Sequence, residues 1–340
     1  MFFDVILRRR NWANASFCCG AGSIHRREAV MEGALRQWSD AIEAIAGRNE
    51  AAARRLTGEK AISDTLRGAM RWQGALEEEF QPYKFHVSED IYTSLALHAD
   101  RERGWKSVLH PVVQARMLSP NDLLSWTMQR FKYAGGTLDI FINDNPFLRK
   151  GLTLWQKLMY AATFYSYLSP IWNVIFLAAP IVFLFTGVAP VAGYTLDFFI
   201  HITPFLFLNE LSKLVGAWGN SNSKGRAWYL AAFPLNLKAL WAVIRGQKIS
   251  FPVTPKDRQV GTYGKLVRWQ IGVVVLTLAG LGWGWGAFAL GHPGYTLAAM
   301  IANTLWGLSN CLSMAPIIRA AFWQPDTEFE ADIVSGKMHA

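Results

Sequence analysis

The stretch IWNVIFLAAPIVFLFTGV, residues 171–188, contains no charged side chain. An α-helix rises about 1.5 Å per residue and the hydrocarbon core of a bilayer is about 30 Å thick, so an apolar run of roughly 20 residues can cross it. Three more runs are mostly apolar, at 195–218, 269–290 and 295–322, although the first contains Asp197, Glu210 and Lys213 and the last contains Arg319. Residues 1–157 instead mix charged and apolar residues throughout. The sequence therefore predicts a soluble region followed by an α-helical membrane bundle of four transmembrane helices.

Lysine and arginine are distributed unevenly around these runs. The turns 189–194 and 291–294 contain neither, whereas the connecting segment 219–268 is strongly basic and has a single acid, Asp257. This asymmetry is typical of cytoplasmic loops, so we expect the connecting segment and both termini to lie in the cytoplasm. Residues 227–245 interleave Trp and Leu with Lys and Arg, which favours an interfacial helix. The net charge of +9 is thus attributed to topology and anionic lipid, not to nucleic acid.

The soluble region contains one segment predicted as helix and one predicted as strand. Apolar residues recur at helical spacing between Leu35 and Ile45 in an Ala-, Glu- and Arg-rich stretch, and we interpret residues 31–87 as a helical insertion. Further on, Gly104–Leu109 is expected to form a short buried strand. The 3 cysteines show neither metal-ligand spacing nor an even disulfide set: Cys18, Cys19 and Cys311.

Two short motifs in the soluble region are suited to ligand binding or catalysis. Residues 17–23 read FCCGAGS, a small-residue turn where backbone can approach a ligand closely, although a plain tight turn has the same composition. Residues 88–90 read SED before an apolar, helix-like segment. Asp90 can cap that helix, or it can act as the general base for a sugar hydroxyl, which must be a carboxylate within hydrogen-bond reach.

Two further motifs carry groups that bind phosphate. Residues 129–136 read QRFKYAGG and join an amide, two cations and an aromatic ring on a predicted helix. That combination suits a phosphate leaving group beside a stacked sugar, and a solvated helix face is the alternative. Residues 251–256 read FPVTPK, a proline-stiffened loop in which Thr254 and Lys256 can donate hydrogen bonds to phosphate.

The order of these motifs resembles the catalytic subunits of bacterial cellulose synthases, which are processive family 2 glycosyltransferases. The resemblance covers roughly residues 11–323 and includes GWKS at 104–107. It implies an α/β fold, a partial GT-A-like glycosyltransferase domain followed by the four-helix membrane bundle. It also implies a bacterial inner-membrane location.

The resemblance assigns roles to individual residues. Asp90 would be the catalytic base, and four residues would bind the acceptor: Cys19, Gly20, Gln129 and Tyr133. The donor diphosphate would contact Gln129, Arg130, Lys132, Thr254 and Lys256. A gating loop at 249–258 would close over the nucleotide through Phe251, Val253, Thr254 and Lys256.

The sequence departs from the family pattern in two respects. Lys132 stands where the family has Arg, which replaces a bidentate fork with a point charge, and Tyr133 replaces Trp. Residues 1–10 contain Asp4 as their one acid, so the aspartates that bind uridine and the metal in the family are expected to lie outside this chain. The magnesium or manganese ion expected for the family therefore has no assigned ligand here.

Three regions follow from this interpretation: a partial cytoplasmic glycosyltransferase domain at 1–150, a transmembrane region at 151–323 and a tail at 324–340. The predicted function is transfer of a hexose, glucose by family analogy, from a UDP-sugar to a β-glucan that is exported through the bilayer. Three explanations stay open for the donor-binding half: a truncated reading frame, a split gene whose separate chain supplies that half, or an engineered fragment. The alternative is a catalytically silent membrane or channel subunit, a remnant of such a synthase.

Overall fold

The chain forms two compact units. The N-terminal unit contains Phe2–Met117 and Asp139–Thr163, and the C-terminal unit contains Leu118–Leu138 and the chain from Phe164 onward. The computed structural model of the protein describes residues 2–20, 22–57, 63–83, 86–115, 119–190, 195–220, 223–247, 249 and 261–323.

The N-terminal unit is helical in its described parts. After a π-type turn at Phe2–Leu7 come α1 (Arg8–Arg10), α2 (Arg27–Thr57), α3 (Asp64–Trp72) and α4 (Glu89–Ala99). Helices α2 and α3 lie within the predicted helical insertion and pack against each other. Ion pairs tie α2 to the chain after α4, because Arg36 lies 3.1 Å from Asp100 and Arg103 lies 3.0 Å from Glu32.

The predicted α/β fold is wrong for the part of the chain that the structure describes, where no residue forms a strand. The segment Gly104–Leu109 starts at a turn residue, Gly104, with φ +60°, and its backbone bonds to side chains. The amide of Asn14 bonds to the backbone of Trp105 and Ser107, at 2.8 Å each, and that of Asn11 bonds to both backbone groups of Leu109. Each asparagine amide offers a donor and an acceptor, so the two side chains replace a neighbouring strand.

The expected burial of that segment is also wrong. Val108 is 74% exposed, so its side chain does not belong to a core. A short apolar run suggests a strand, but it does not identify the partner that satisfies the backbone groups.

The C-terminal unit is a helical bundle. Two helices, α5 (Leu123–Asn143) and α6 (Leu154–Leu168), contribute residues to both units. The remaining helices are α7 (Pro170–Thr186), α8 (Leu196–Gly216), α9 (Ser223–Ala231), α10 (Phe233–Ile244), α11 (Arg268–Ala289) and α12 (Leu297–Phe322). Helices α7, α11 and α12 pack together, and Gly284 of α11 allows close approach, since a Cβ there would lie 3.0 Å from the carbonyl oxygen of Leu184.

The predicted set of four single spans needs correction. Two helical segments are long and apolar enough to cross a membrane, Leu196–Gly216 and Gly264–Ala289. Two bent pairs meet the same test when each is taken as one span, α6 with α7 at 42° and α9 with α10 at 50°. The described residues thus contain two candidate spans, or up to four.

The differences have identifiable causes. The run at 171–188 is the second arm of a bent pair, since Pro170 lacks an N–H and separates it from α6. The predicted interfacial helix at 227–245 is divided between α9 and α10, with Pro234 at the start of the second. Helix α12 is 26 residues long but carries Asn303 and Asn310 in its middle, which lower its hydropathy.

Candidate functional site

Asp90 lies in the first turn of α4 and accepts a hydrogen bond from the N–H of Ile91 at 2.8 Å. Burial, together with the neighbouring charge of Glu89, raises the pKa of Asp90 to about 6 against the opposing effect of the Ile91 N–H. At neutral pH the group is therefore a carboxylate, but one that accepts a proton more readily than an ordinary aspartate. It has the protonation behaviour of a general base.

The FCCG turn is tied to α4 by two consecutive hydrogen bonds. The N–H of Cys18 donates to Oγ of Ser94 at 2.8 Å, and that hydroxyl donates to the carbonyl oxygen of Asp90 at 2.9 Å. Gly20 has φ +75°, a left-handed conformation that favours glycine. The structure thus brings together three of the predicted site residues, Cys19, Gly20 and Asp90, within the N-terminal unit.

The two cysteine thiols beside Asp90 are neutral at physiological pH. Burial, together with the negative charge of Asp90, raises the pKa of Cys19 to about 12. Burial also raises the pKa of Cys18, whose Sγ lies 3.0 Å from Oγ of Ser23 and 3.5 Å from Nε2 of His25. Because the thiolate is the nucleophilic form, these cysteines shape the turn and do not provide a nucleophile.

A buried hydrogen-bond network holds the C-terminal half of α4. No motif in the sequence predicts it. Nδ1 of His98 lies 2.9 Å from the hydroxyl of Tyr160, and Nε2 lies 2.7 Å from Oγ of Ser107. The Ser107 hydroxyl donates to the carbonyl of Ser16, so it accepts from Nε2–H, and Nδ1 accepts from Tyr160. Burial lowers the pKa of His98 to about 4, which keeps the ring neutral.

The QRFKY motif lies on α5, in the part of that helix that belongs to the C-terminal unit. Ala134 and Leu138 are buried and pack with Phe131 against residues of α10. Gln129 and Tyr133 point away from this packed face, and the Tyr133 side chain is 45% exposed. The motif therefore has a structural face and a face that can meet a ligand.

The charged residues of this motif differ in environment. The guanidinium of Arg130 lies 5.8 Å from the ring centre of Trp126 and 5.9 Å from that of Tyr133, within the range of cation–π attraction. Burial lowers the pKa of Lys132. Gln129, Arg130, Lys132 and Tyr133 belong to one unit, and Cys19, Gly20 and Asp90 belong to the other.

The predicted gating loop lies outside the described residues, and so do its members Phe251, Val253, Thr254 and Lys256. Within the described residues, no three His, Cys, Asp or Glu side chains are grouped closely enough to hold a metal ion. The magnesium or manganese ion expected for the family stays a prediction without ligands in this part of the chain.

Comparison with known proteins assigns the class. A family model described as glycosyl transferase family group 2 matches residues 1–213, and the chain belongs to that family. Among curated proteins it is similar to the cellulose synthase catalytic subunit (UDP-forming) of Komagataeibacter sucrofermentans, with 30% identity over 207 residues, 61% of this chain and 21% of the relative.

Two further relatives extend the similarity. The cellulose synthase catalytic subunit (UDP-forming) of Pseudomonas fluorescens is 27% identical over 246 residues, 69% of this chain and 32% of the relative. The putative cellulose synthase 2 of Komagataeibacter xylinus is 29% identical over 319 residues, 90% of this chain and 17% of the relative. The chain thus spans less than a third of the length of these relatives.

Proposed function

We propose that this chain provides the acceptor side of a processive β-glycosyltransferase, with Asp90 as the general base. The observation that carries the proposal is the partly buried carboxyl group of Asp90, with its raised pKa, on a residue whose backbone carbonyl is joined through Ser94 to the FCCG turn. A cap residue does not need a raised pKa, whereas a base working near neutral pH benefits from one.

The proposed reaction transfers a hexose from a UDP-sugar to a β-glucan. Asp90 takes the proton of the acceptor hydroxyl, and that oxygen forms a bond to the anomeric carbon of the donor sugar. The bond between the anomeric carbon and the phosphate oxygen breaks, and the electron pair leaves with UDP. Glucose is the proposed sugar, because the similar proteins are named cellulose synthase catalytic subunits (UDP-forming).

Side chains of the QRFKY motif are proposed to serve both substrates. Cations and an amide stabilise the diphosphate as it gains charge, and the motif offers Gln129, Arg130 and Lys132 for this role. The exposed ring of Tyr133 provides a face on which a sugar ring can stack. Thr254 and Lys256 are proposed, from the resemblance alone, to close over the same diphosphate.

We further propose that the protein resides in the bacterial inner membrane, with both termini in the cytoplasm. Support comes from the two long apolar helical segments and from the basic segment between them. The bilayer is then a partner of the protein.

The proposal predicts that Asp90→Asn abolishes sugar transfer. Membranes from native cells carrying the substitution should incorporate labelled glucose from UDP-glucose at least about 100-fold more slowly than wild type, since an amide cannot accept the proton. Asp64→Asn, an equal change at an exposed carboxylate in the first turn of α3, is the control and should leave the rate unchanged.

Two outcomes would contradict the proposal. Full incorporation by Asp90→Asn would exclude Asp90 as the base. Absence of any difference between wild-type membranes and membranes lacking the chain would favour the alternative, a catalytically silent membrane or channel subunit.

A further inference from the structure

His86 lies four residues before Asp90 and makes two hydrogen bonds through its ring. Nε2 lies 2.8 Å from Oδ2 of Asp139, and Nδ1 lies 2.9 Å from the backbone nitrogen of Ser88. The other carboxylate oxygen of Asp139 accepts from Nδ2 of Asn143 at 2.7 Å. All of these residues belong to the N-terminal unit.

The partners fix the tautomer of the ring. A backbone N–H can only donate, so Nδ1 of His86 must be the unprotonated nitrogen that accepts from Ser88. The ring proton then sits on Nε2 and points at the Asp139 carboxylate. This is the arrangement in which a carboxylate orients a histidine through one nitrogen while the other performs a task.

The task of the second nitrogen is to hold the first turn of α4. Ser88 is only 5% exposed, and its backbone N–H donates to Nδ1 of His86. The Ser88 side chain makes no capping hydrogen bond to α4. Its carbonyl oxygen accepts from the N–H of Tyr92 at 3.1 Å, which closes the turn that contains Asp90. The His86 ring also meets the Tyr92 ring edge to face, with centroids 4.8 Å apart.

We propose that His86 is a positioning residue for Asp90 and that Asp139 orients His86 for this role. The inference rests on the proposed function of Asp90 as the base. His86 contacts one residue before Asp90 and one residue after it, at the backbone of Ser88 and at the ring of Tyr92. Loss of the ring frees the turn and misplaces the carboxylate, while substrate binding elsewhere is preserved.

The kinetic arm of the test separates positioning from binding. His86→Ala should lower kcat roughly 10- to 100-fold with the KM for the UDP-sugar within about 2-fold, since small displacements of a catalytic group cost this much. Asn can place its amide oxygen near the position of Nδ1, so His86→Asn should recover most of the rate. Asp139→Asn should also lower kcat, and combining it with His86→Ala should add little.

The second arm does not depend on sugar transfer. Hydrogen exchange of a peptide covering residues 87–92 should be roughly 5- to 10-fold faster in His86→Ala, since one hydrogen bond to the Ser88 amide is lost. Exchange at 95–99, the far end of α4, should stay as in wild type. His110→Ala is the matched control, because His110 is exposed and, among the described residues, its ring bonds to nearby Val112.

The outcomes distinguish this inference from the proposed function. Unchanged kcat and unchanged exchange at 87–92 in His86→Ala would overturn the positioning role. Accelerated exchange along the whole of α4 would overturn it too, since His86 would then be a general stability residue. If native membranes carrying the wild-type chain transfer no more sugar than membranes lacking it, the proposed function fails, and local acceleration at 87–92 still establishes His86 as the residue that holds this turn.

Discussion

At the scale of single residues, the protonation of Asp90 sets the pH range in which it can act as a base. Burial raises the pKa of Asp90 to about 6, and the charge of Glu89 contributes to the shift. The base form is lost as pH falls through that value. The environment of one carboxyl group therefore predicts the acid limb of the activity profile.

We predict that kcat/KM for sugar transfer is constant above pH 7 and falls about tenfold per pH unit below about pH 6. Glu89→Gln should move this limb to lower pH, because it removes a negative charge that favours protonation of Asp90. The measurement is initial rate against pH in buffers of constant ionic strength. An acid limb near pH 4 in wild-type protein would show that Asp90 is not the titrating base.

At the scale of elements, α4 carries two buried groups whose titrations affect stability in opposite directions. Asp90 has a folded pKa of about 6, above its usual 3.8, so acidification through that range favours the folded state. His98 has a folded pKa of about 4, below its usual 6.5, so the unfolded chain takes up the proton first and stability falls as pH drops from about 6.5 to about 4. The two contributions largely cancel in wild-type protein.

Asp90→Asn should remove the compensation. Between pH 7 and pH 5 the variant is expected to lose roughly 2 kcal/mol of stability from His98 alone, enough to lower the thermal midpoint by a few degrees more than in wild type. Adding His98→Gln should abolish the extra pH dependence, even if it lowers stability at both pH values. The change in thermal midpoint between pH 7 and pH 5 is measured by circular dichroism melts in detergent. Equal shifts in wild type and Asp90→Asn would contradict this account of α4.

The sequence predicts helices better than it predicts which distant residues bond to each other. Apolar runs predicted α7, α8, α11 and α12, because an apolar run of about twenty residues is typical of a membrane helix. The strand at Gly104–Leu109 was wrong because its partners are two asparagine side chains about ninety positions away, and no local pattern encodes that pairing.

The candidate site was predictable to a similar extent. Asp90, Cys19 and Gly20 were found from short motifs, because each motif is contiguous in sequence. His86 and Asp139 are 53 positions apart, and their pairing depends on the fold, so neither residue stands out in the sequence. In the sequence, nothing distinguishes His98 from other polar residues on a helix. Its role depends on its hydrogen bonds to Tyr160 and Ser107.

At the scale of the whole molecule, the candidate membrane region contains two long apolar helical segments, and the chain that connects them is basic. Helix α8 has no buried residue in the part of the chain that the structure describes, so its many exposed apolar side chains are suited to contact with lipid. Between α8 and α11 the chain carries lysines and arginines with one acid. The distribution of charge, more than the number of helices, therefore determines the expected topology.

We predict that Gln247 and His292 lie on opposite sides of the membrane. Gln247 is exposed after α10 in the basic segment, and His292 is exposed in the turn after α11 that lacks Lys and Arg. Because α11 crosses between them, a membrane-impermeant maleimide should label His292→Cys in intact spheroplasts and Gln247→Cys only after lysis. Wild-type protein, with its 3 partly buried cysteines, provides the background to subtract. Equal labelling of both variants before lysis would exclude α11 as a span, and reversed labelling would place the basic segment outside the cytoplasm.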